Sequence, residues 1–364
     1  MVSLRRALLY FEDQETVAEP EPGASDWHEV RTSPLFTSAV MEHHSTHLSI
    51  ETGMYPCPTL TEVTPGNTRE ATRSPFVSFG GIGRVISEHH SGSHTQPDHG
   101  LLYMNTNAPS STVICGVQGS GKSHSVSVII ENSLISLPEL GKLPHSLSAV
   151  VFHLGAAQGG MHLPCESAFL GRLMSTYETS RVPVKVLVSP SNLTNMRKSY
   201  GSTGAEVVPF YLSTKDLNCS RMLSLMHVSE GDEIPLYMQV VQQILRSMGN
   251  NEFDYSAFKR ALQDKQKTEF TQGQNMPLTL RIQLLEAMLL ECQNRKQVRG
   301  LVSVKAHFEP GTITIVDLTD PFINPSSASA LFDIALSLYL ETEIPSGKLL
   351  VLDEAHKVIP IVLC

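Results

Sequence analysis

The residues Gly116-Val117-Gln118-Gly119-Ser120-Gly121-Lys122-Ser123 carry the spacing G-x-x-x-x-G-K-[ST] in full. Each residue type has a physical reason to be there. The glycines let the backbone turn tightly and aim its N–H groups inward, where they meet phosphate oxygens. A helix starting near Lys122 would add its positive end. Lys122 then reaches the β- and γ-phosphates, and the Ser123 hydroxyl becomes a Mg²⁺ ligand. Val117, Gln118 and Ser120 contribute through the backbone. The plain alternative is a glycine turn between a strand and a helix, with no ligand.

Phosphate binding becomes phosphate chemistry only with acids, one to hold the metal shell and one to orient an attacking water. The stretch "KLLVLDEAHKVI" supplies a pair. The apolar run 349–352 reads as a strand, and Asp353 and Glu354 follow at its carboxyl end. Alternation across a strand would turn Asp353 to the metal and Glu354 to the γ-phosphate as base. The competing reading is a strand ending in two solvated acids. A second apolar run, "ITIVDLTD", ends in Asp317 but lacks the adjacent glutamate. Asp317 either lines the ligand edge of the sheet or caps the turn before Pro321. Asp-Glu-Ala-His is also a helicase signature. That reading is set aside because more than two hundred residues separate Lys122 from Asp353, and no Ser-Ala-Thr motif follows the acids.

The elements that must position these residues follow from apolar periodicity. Strands are expected at 111–116, 147–154, 182–189, 205–213, 311–318 and 348–353. Helices are expected over 122–135, 234–248, 255–263, 277–293 and 326–342. Strands alternating with helices imply an α/β fold with a mainly parallel sheet covered on both faces. The block at about 214–295 is a helical insertion, either a subdomain or a layer on the sheet. Residues 1–100 are rich in Ser, Thr, Pro, Glu and His and are expected to be low-complexity or disordered, apart from one short strand around Phe76 to Phe79. The domain that carries the motifs is then 101–364.

"ICGVQGSGKSH", with "GTITIVDLTDPF" and "LLVLDEAHKVI" at long range, resembles the HerA/FtsK-type P-loop ATPases over roughly 105–358. Asp317-Leu318, a helix near 326–342 and Asp353-Glu354-Ala355-His356 carry the paired-strand part of the resemblance. It implies a RecA-like core, ATP and Mg²⁺ as ligands, and a hexameric ring that pumps DNA. By position it assigns Lys122 and Ser123 to phosphate and metal, Asp353 to the metal shell and Glu354 to the catalytic base. Such a core also places a further strand between the acidic strand and the phosphate-loop strand, and draws an arginine finger from the same later region. Only residues 354–364 follow Asp353, so the C-terminal part of the core is expected to be missing and turnover to be weakened.

Three functions therefore stand side by side: Mg-dependent ATP binding with hydrolysis, a nucleotide-binding switch or interaction module with little turnover, and an ATP-driven nucleic-acid translocase. Charge bears on the last. The 364-residue chain carries 27 Lys and Arg against 36 Asp and Glu, net −9, which argues against holding nucleic acid by bulk electrostatics. The best basic cluster is "RKQVRGLVSVK" at 295–305. Cysteines at 57, 115, 165, 219, 292 and 364 form no CxxC pair and read as reduced thiols. Cys115 is expected in a buried strand. His43, His44 and His47, and His89, His90, His94 and His99, lack a completing ligand set and read as linker histidines. No signal-like segment or long apolar run is present, so the expected place is the cytoplasm or nucleus, with no membrane contact.

Overall fold

The computed structural model describes residues 32–40, 76–84, 100–137, 141–155, 162–172, 182–226, 236–248, 253–268, 272–294 and 299–355. The chain divides into two compact units, with the boundary between Ser146 and Leu147. Residues 116–123 fall in the first of these units.

The first unit is built on a four-stranded antiparallel sheet of β1 (Leu35–Thr37), β2 (Phe79–Arg84), β3 (Leu101–Asn105) and β4 (Gly141–Lys142), in the order β1-β3-β2-β4. Part of the segment expected to be disordered is therefore folded; most of 1–100, including all seven histidines named above, lies outside the described residues. The physical reason is an aromatic cluster. Phe36 stacks on Phe76 with ring centroids 3.6 Å apart, and Phe79 and Tyr103 each pack near it. These rings come from three separate stretches of sequence, so no single window shows the pattern. Helix α1 (Lys122–Leu134) packs on β2 with Ile130 and Leu134 buried. The contact is close: a Cβ at Gly80 would run into Asn132, whose amide donates to the Gly81 carbonyl at 2.9 Å.

The second unit is α/β, with a five-stranded parallel sheet of β5 (Ser148–His153), β6 (Val184–Val188), β7 (Glu206–Pro209), β8 (Ile313–Asp317) and β9 (Lys348–Leu352). Its order is β7-β6-β8-β5-β9, and every pairing is parallel. All residues of β5 and β8 are buried, as central parallel strands require. Helix α2 (Leu193–Ser199) follows β6 and packs against β7.

Helices α3 (Cys219–Met226), α4 (Leu236–Met248), α5 (Tyr255–Thr268) and α6 (Gln272–Ala287) form the expected helical block. It is a layer on the sheet, since Met222, Val241, Phe258 and Leu285 share one apolar cluster with Val150, Phe152, Leu187 and Val316. Helix α7 (Pro325–Glu341) joins that cluster and starts at Asn324, whose side chain accepts from Ser327 N–H. Arg221 ties α3 to α7. Buried to 6% exposure, it donates to Ser337 Oγ at 2.8 Å and to the Asp216 carbonyl at 2.6 Å, and pairs with Glu341 at 2.5 Å. No helix of the described residues is long and apolar enough to cross a membrane.

Candidate functional site

The phosphate-loop residues lie in the first unit. Lys122 and Ser123 open the 13-residue helix α1, and Gly121 is its N-cap at φ 85°. Gly119 has φ 79°. Both values fall in the left-handed region that only glycine enters freely. A Cβ at Gly116 would press on Ser120 Oγ, the end of an exposed side chain that can turn aside. Gly119 and Gly121 are thus required by the turn they occupy. Within the loop, Ser120 N–H donates to the Val117 carbonyl at 3.2 Å, and Lys122 Nζ folds back onto the same carbonyl at 3.0 Å. No side chain caps the helix, and no acid sits in its first turn. Residues 116–121 are exposed, so the positive end of α1 opens to solvent.

The strand expected at 111–116 is absent. Residues 109–117 have no regular structure, Val113 is 87% exposed, and Cys115 is exposed rather than buried. β-rich composition makes a strand only where an edge pairs with it and a core covers it, and this run has neither here.

The acid pair lies in the second unit, at the carboxyl edge of the parallel sheet. Asp353 follows β9, and its N–H donates to the Phe152 carbonyl at 3.0 Å. Glu354 is exposed and has φ 53°, the one positive φ at a non-glycine position among the described residues. Such strain persists where the surroundings enforce it, and it clusters at functional sites.

Several residues that sequence reasoning left without a role meet Asp353 there. His153 ends β5, and its Nδ1 lies 2.9 Å from Asp353 Oδ2. The Cys165 thiol approaches the same oxygen at 3.6 Å. Burial alone would raise the Asp353 carboxyl, but the hydrogen bond and charge of His153 outweigh it and hold the group below the usual carboxylate range. Burial, and then the charge of Asp353, push the Cys165 thiol far up, so it stays protonated. Behind it, Cys165 N–H donates to Tyr200 Oη at 3.0 Å, and Tyr200 Oη donates to Asp317 Oδ2 at 2.7 Å. Burial, followed by Asp317, raises the Tyr200 phenol well above its ordinary value.

Asp317 is 1% exposed, and its other oxygen accepts from Thr319 N–H at 3.0 Å. It is the turn-capping acid of the two sequence readings, and Tyr200 connects it to Cys165. A signal for His153 existed in the sequence. "LSAVVFHL" is an apolar strand ending in a polar residue, as are the strands that end at Asp317 and Asp353, and parallel strands gather such ends on one edge. Cys165 and Tyr200 sit in irregular segments and gave no such signal.

Comparison with known proteins finds no matching family model, no matching curated protein and no matching solved structure.

Proposed function

We propose that the chain binds Mg-ATP through Gly116–Ser123 and is an ATPase of the HerA/FtsK-like kind with a RecA-like core. The observation that carries this reading is the loop itself: two glycines demanded by their positive φ, a lysine folded across the turn, and an uncapped, acid-free helix terminus open to solvent. These residues fit a polyphosphate. The backbone turn through Gly119 and Gly121, with open space beside both, is of the kind that directs N–H groups at an anion. Lys122 would leave the Val117 carbonyl for phosphate, and the Ser123 hydroxyl would hold Mg²⁺. The resemblance of the sequence, not the geometry, gives Asp353 and Glu354 the roles of metal-shell acid and base in this reading. Bound Mg-ATP supplies the phosphoryl group that water attacks; positioning and charge are the protein's share.

A second reading, binding with little turnover, is favoured by Asp353 Oδ2, which is already engaged by His153 and Cys165. Calorimetric titration of the full chain with ATP and Mg²⁺ tests the first step. Lys122→Ala should weaken binding at least tenfold; equal affinity in the variant defeats the proposal. Phosphate release then divides the readings. Turnover that disappears in Glu354→Gln while binding persists supports hydrolysis, whereas binding with no measurable turnover in the unsubstituted chain supports the switch.

A further inference from the structure

We infer that His153, Cys165 and Asp353 form a binding site for a transition-metal ion of the Zn²⁺ class. The ligand atoms (His153 Nδ1, Cys165 Sγ and an Asp353 carboxylate oxygen) all lie within 4.8 Å of one another. They come from three separate segments: the end of β5, the turn leading into the 3-10 helix Glu166–Gly171, and the end of β9. A tetrahedral ion with Zn–N, Zn–O and Zn–S bonds of about 2.0–2.3 Å holds its ligands roughly 3.3–3.8 Å apart. The observed separations from Asp353 Oδ2, 2.9 Å to nitrogen and 3.6 Å to sulfur, need only small adjustments to receive one.

Charge balance points the same way. His153 and Cys165 are buried, with Asp353 partly so. One carboxylate and one thiolate neutralise a dication, with imidazole as the neutral third ligand. In the metal-free protein a proton on Cys165 Sγ and one on His153 Nδ1 face the Asp353 carboxylate. Metal binding releases both to solvent, leaving a thiolate and a neutral imidazole that is protonated on Nε2. Thiolate with imidazole selects Zn²⁺ or Co²⁺ over Mg²⁺, so an ion held here withdraws Asp353 from a Mg²⁺ shell and favours the reading of nucleotide binding with little turnover. The outer shell is also present. Tyr200, oriented by Asp317, fixes the Cys165 backbone, as outer partners commonly fix ligands.

The inference does not rest on nucleotide binding. Co²⁺ titration of the metal-free full chain tests it by absorption. The expected result is one equivalent of Co²⁺ with a thiolate-to-cobalt charge-transfer band and tetrahedral visible bands, both abolished by Zn²⁺. Cys165→Ser should remove the charge-transfer band, and His153→Gln should weaken binding about 10- to 100-fold. Cys115→Ser and Lys122→Ala should leave both unchanged. Absence of a thiolate band in the unsubstituted chain overturns the proposal. So does a band that survives Cys165→Ser, which would place the metal on another cysteine. If Cys165→Ser fails to fold, Asp353→Asn decides, since unchanged Co²⁺ affinity there is equally fatal.

Discussion

At the residue scale the loop and the sheet edge make different demands. Gly116→Ala drives a methyl group into Ser120 Oγ, while Gly121→Ala places a Cβ at φ 85°. The second change costs about 1–2 kcal/mol of backbone strain at the terminus of α1. Both should lower affinity for a fluorescent ATP analogue at least tenfold, with the far-ultraviolet circular dichroism of the fold retained. Tyr200→Phe is the corresponding test at the sheet edge. It removes one donor to buried Asp317 and one acceptor for Cys165 N–H, and a loss of about 1–3 kcal/mol in urea unfolding is expected. A variant as stable as the parent would mean that the Tyr200 link contributes nothing. The motif residues were legible because their spacing is fixed locally. Cys165 was not, since its meaning arises only when Asp353, 188 positions away, comes beside it.

At the element scale, periodicity located every strand of the parallel sheet and helices α1, α4, α5, α6 and α7, because buried strands and one-sided helices write their environment into consecutive residues. It missed β1, β3 and β4, and set the strand expected around Phe76 to Phe79 a few residues before β2, which starts at Phe79. Leu35 pairs with Met104, and β2 is "FGGIGR", a glycine-rich run with low strand propensity that is held by pairing and by α1. The 3-10 turn Val304–His307, which packs on α7, offers a test of a buried element. His307 is 9% exposed, and its Nδ1 has no hydrogen-bond partner. Burial first, and then Lys185, lower its pKa below the ordinary value of 6.5. The sign follows directly. The unfolded chain takes up this proton near pH 6.5 and the folded chain only at lower pH, so stability falls as pH drops below about 6.5. His307→Leu should flatten that decline, read as the difference in urea midpoint between pH 7.5 and pH 5.5. An unchanged slope would show that His307 does not carry it.

At the scale of the whole molecule, charge bears on whether the proposed ATPase acts on nucleic acid. The chain carries nine more acidic than basic residues. Several of its bases are already matched internally: Lys185 with Glu309, Lys259 with Glu286, and Arg221 with Glu341. Affinity for duplex DNA comes mainly from Lys and Arg replacing condensed counterions, and each phosphate contact steepens the dependence on salt. A chain with this excess of acids has little to offer that process. Fluorescence anisotropy with a labelled duplex should therefore show no binding tighter than about 10⁻⁵ M at physiological salt, a limit within the range typical of non-specific contacts. ATP turnover should be unchanged by added DNA. A submicromolar, steeply salt-dependent affinity with stimulated turnover would reverse this reading. It would mean that a local basic surface overrides the net charge, as the translocase reading requires. Arg299 and Lys305, in the stretch where the sequence concentrates its positive charge, would then be the first positions to neutralise.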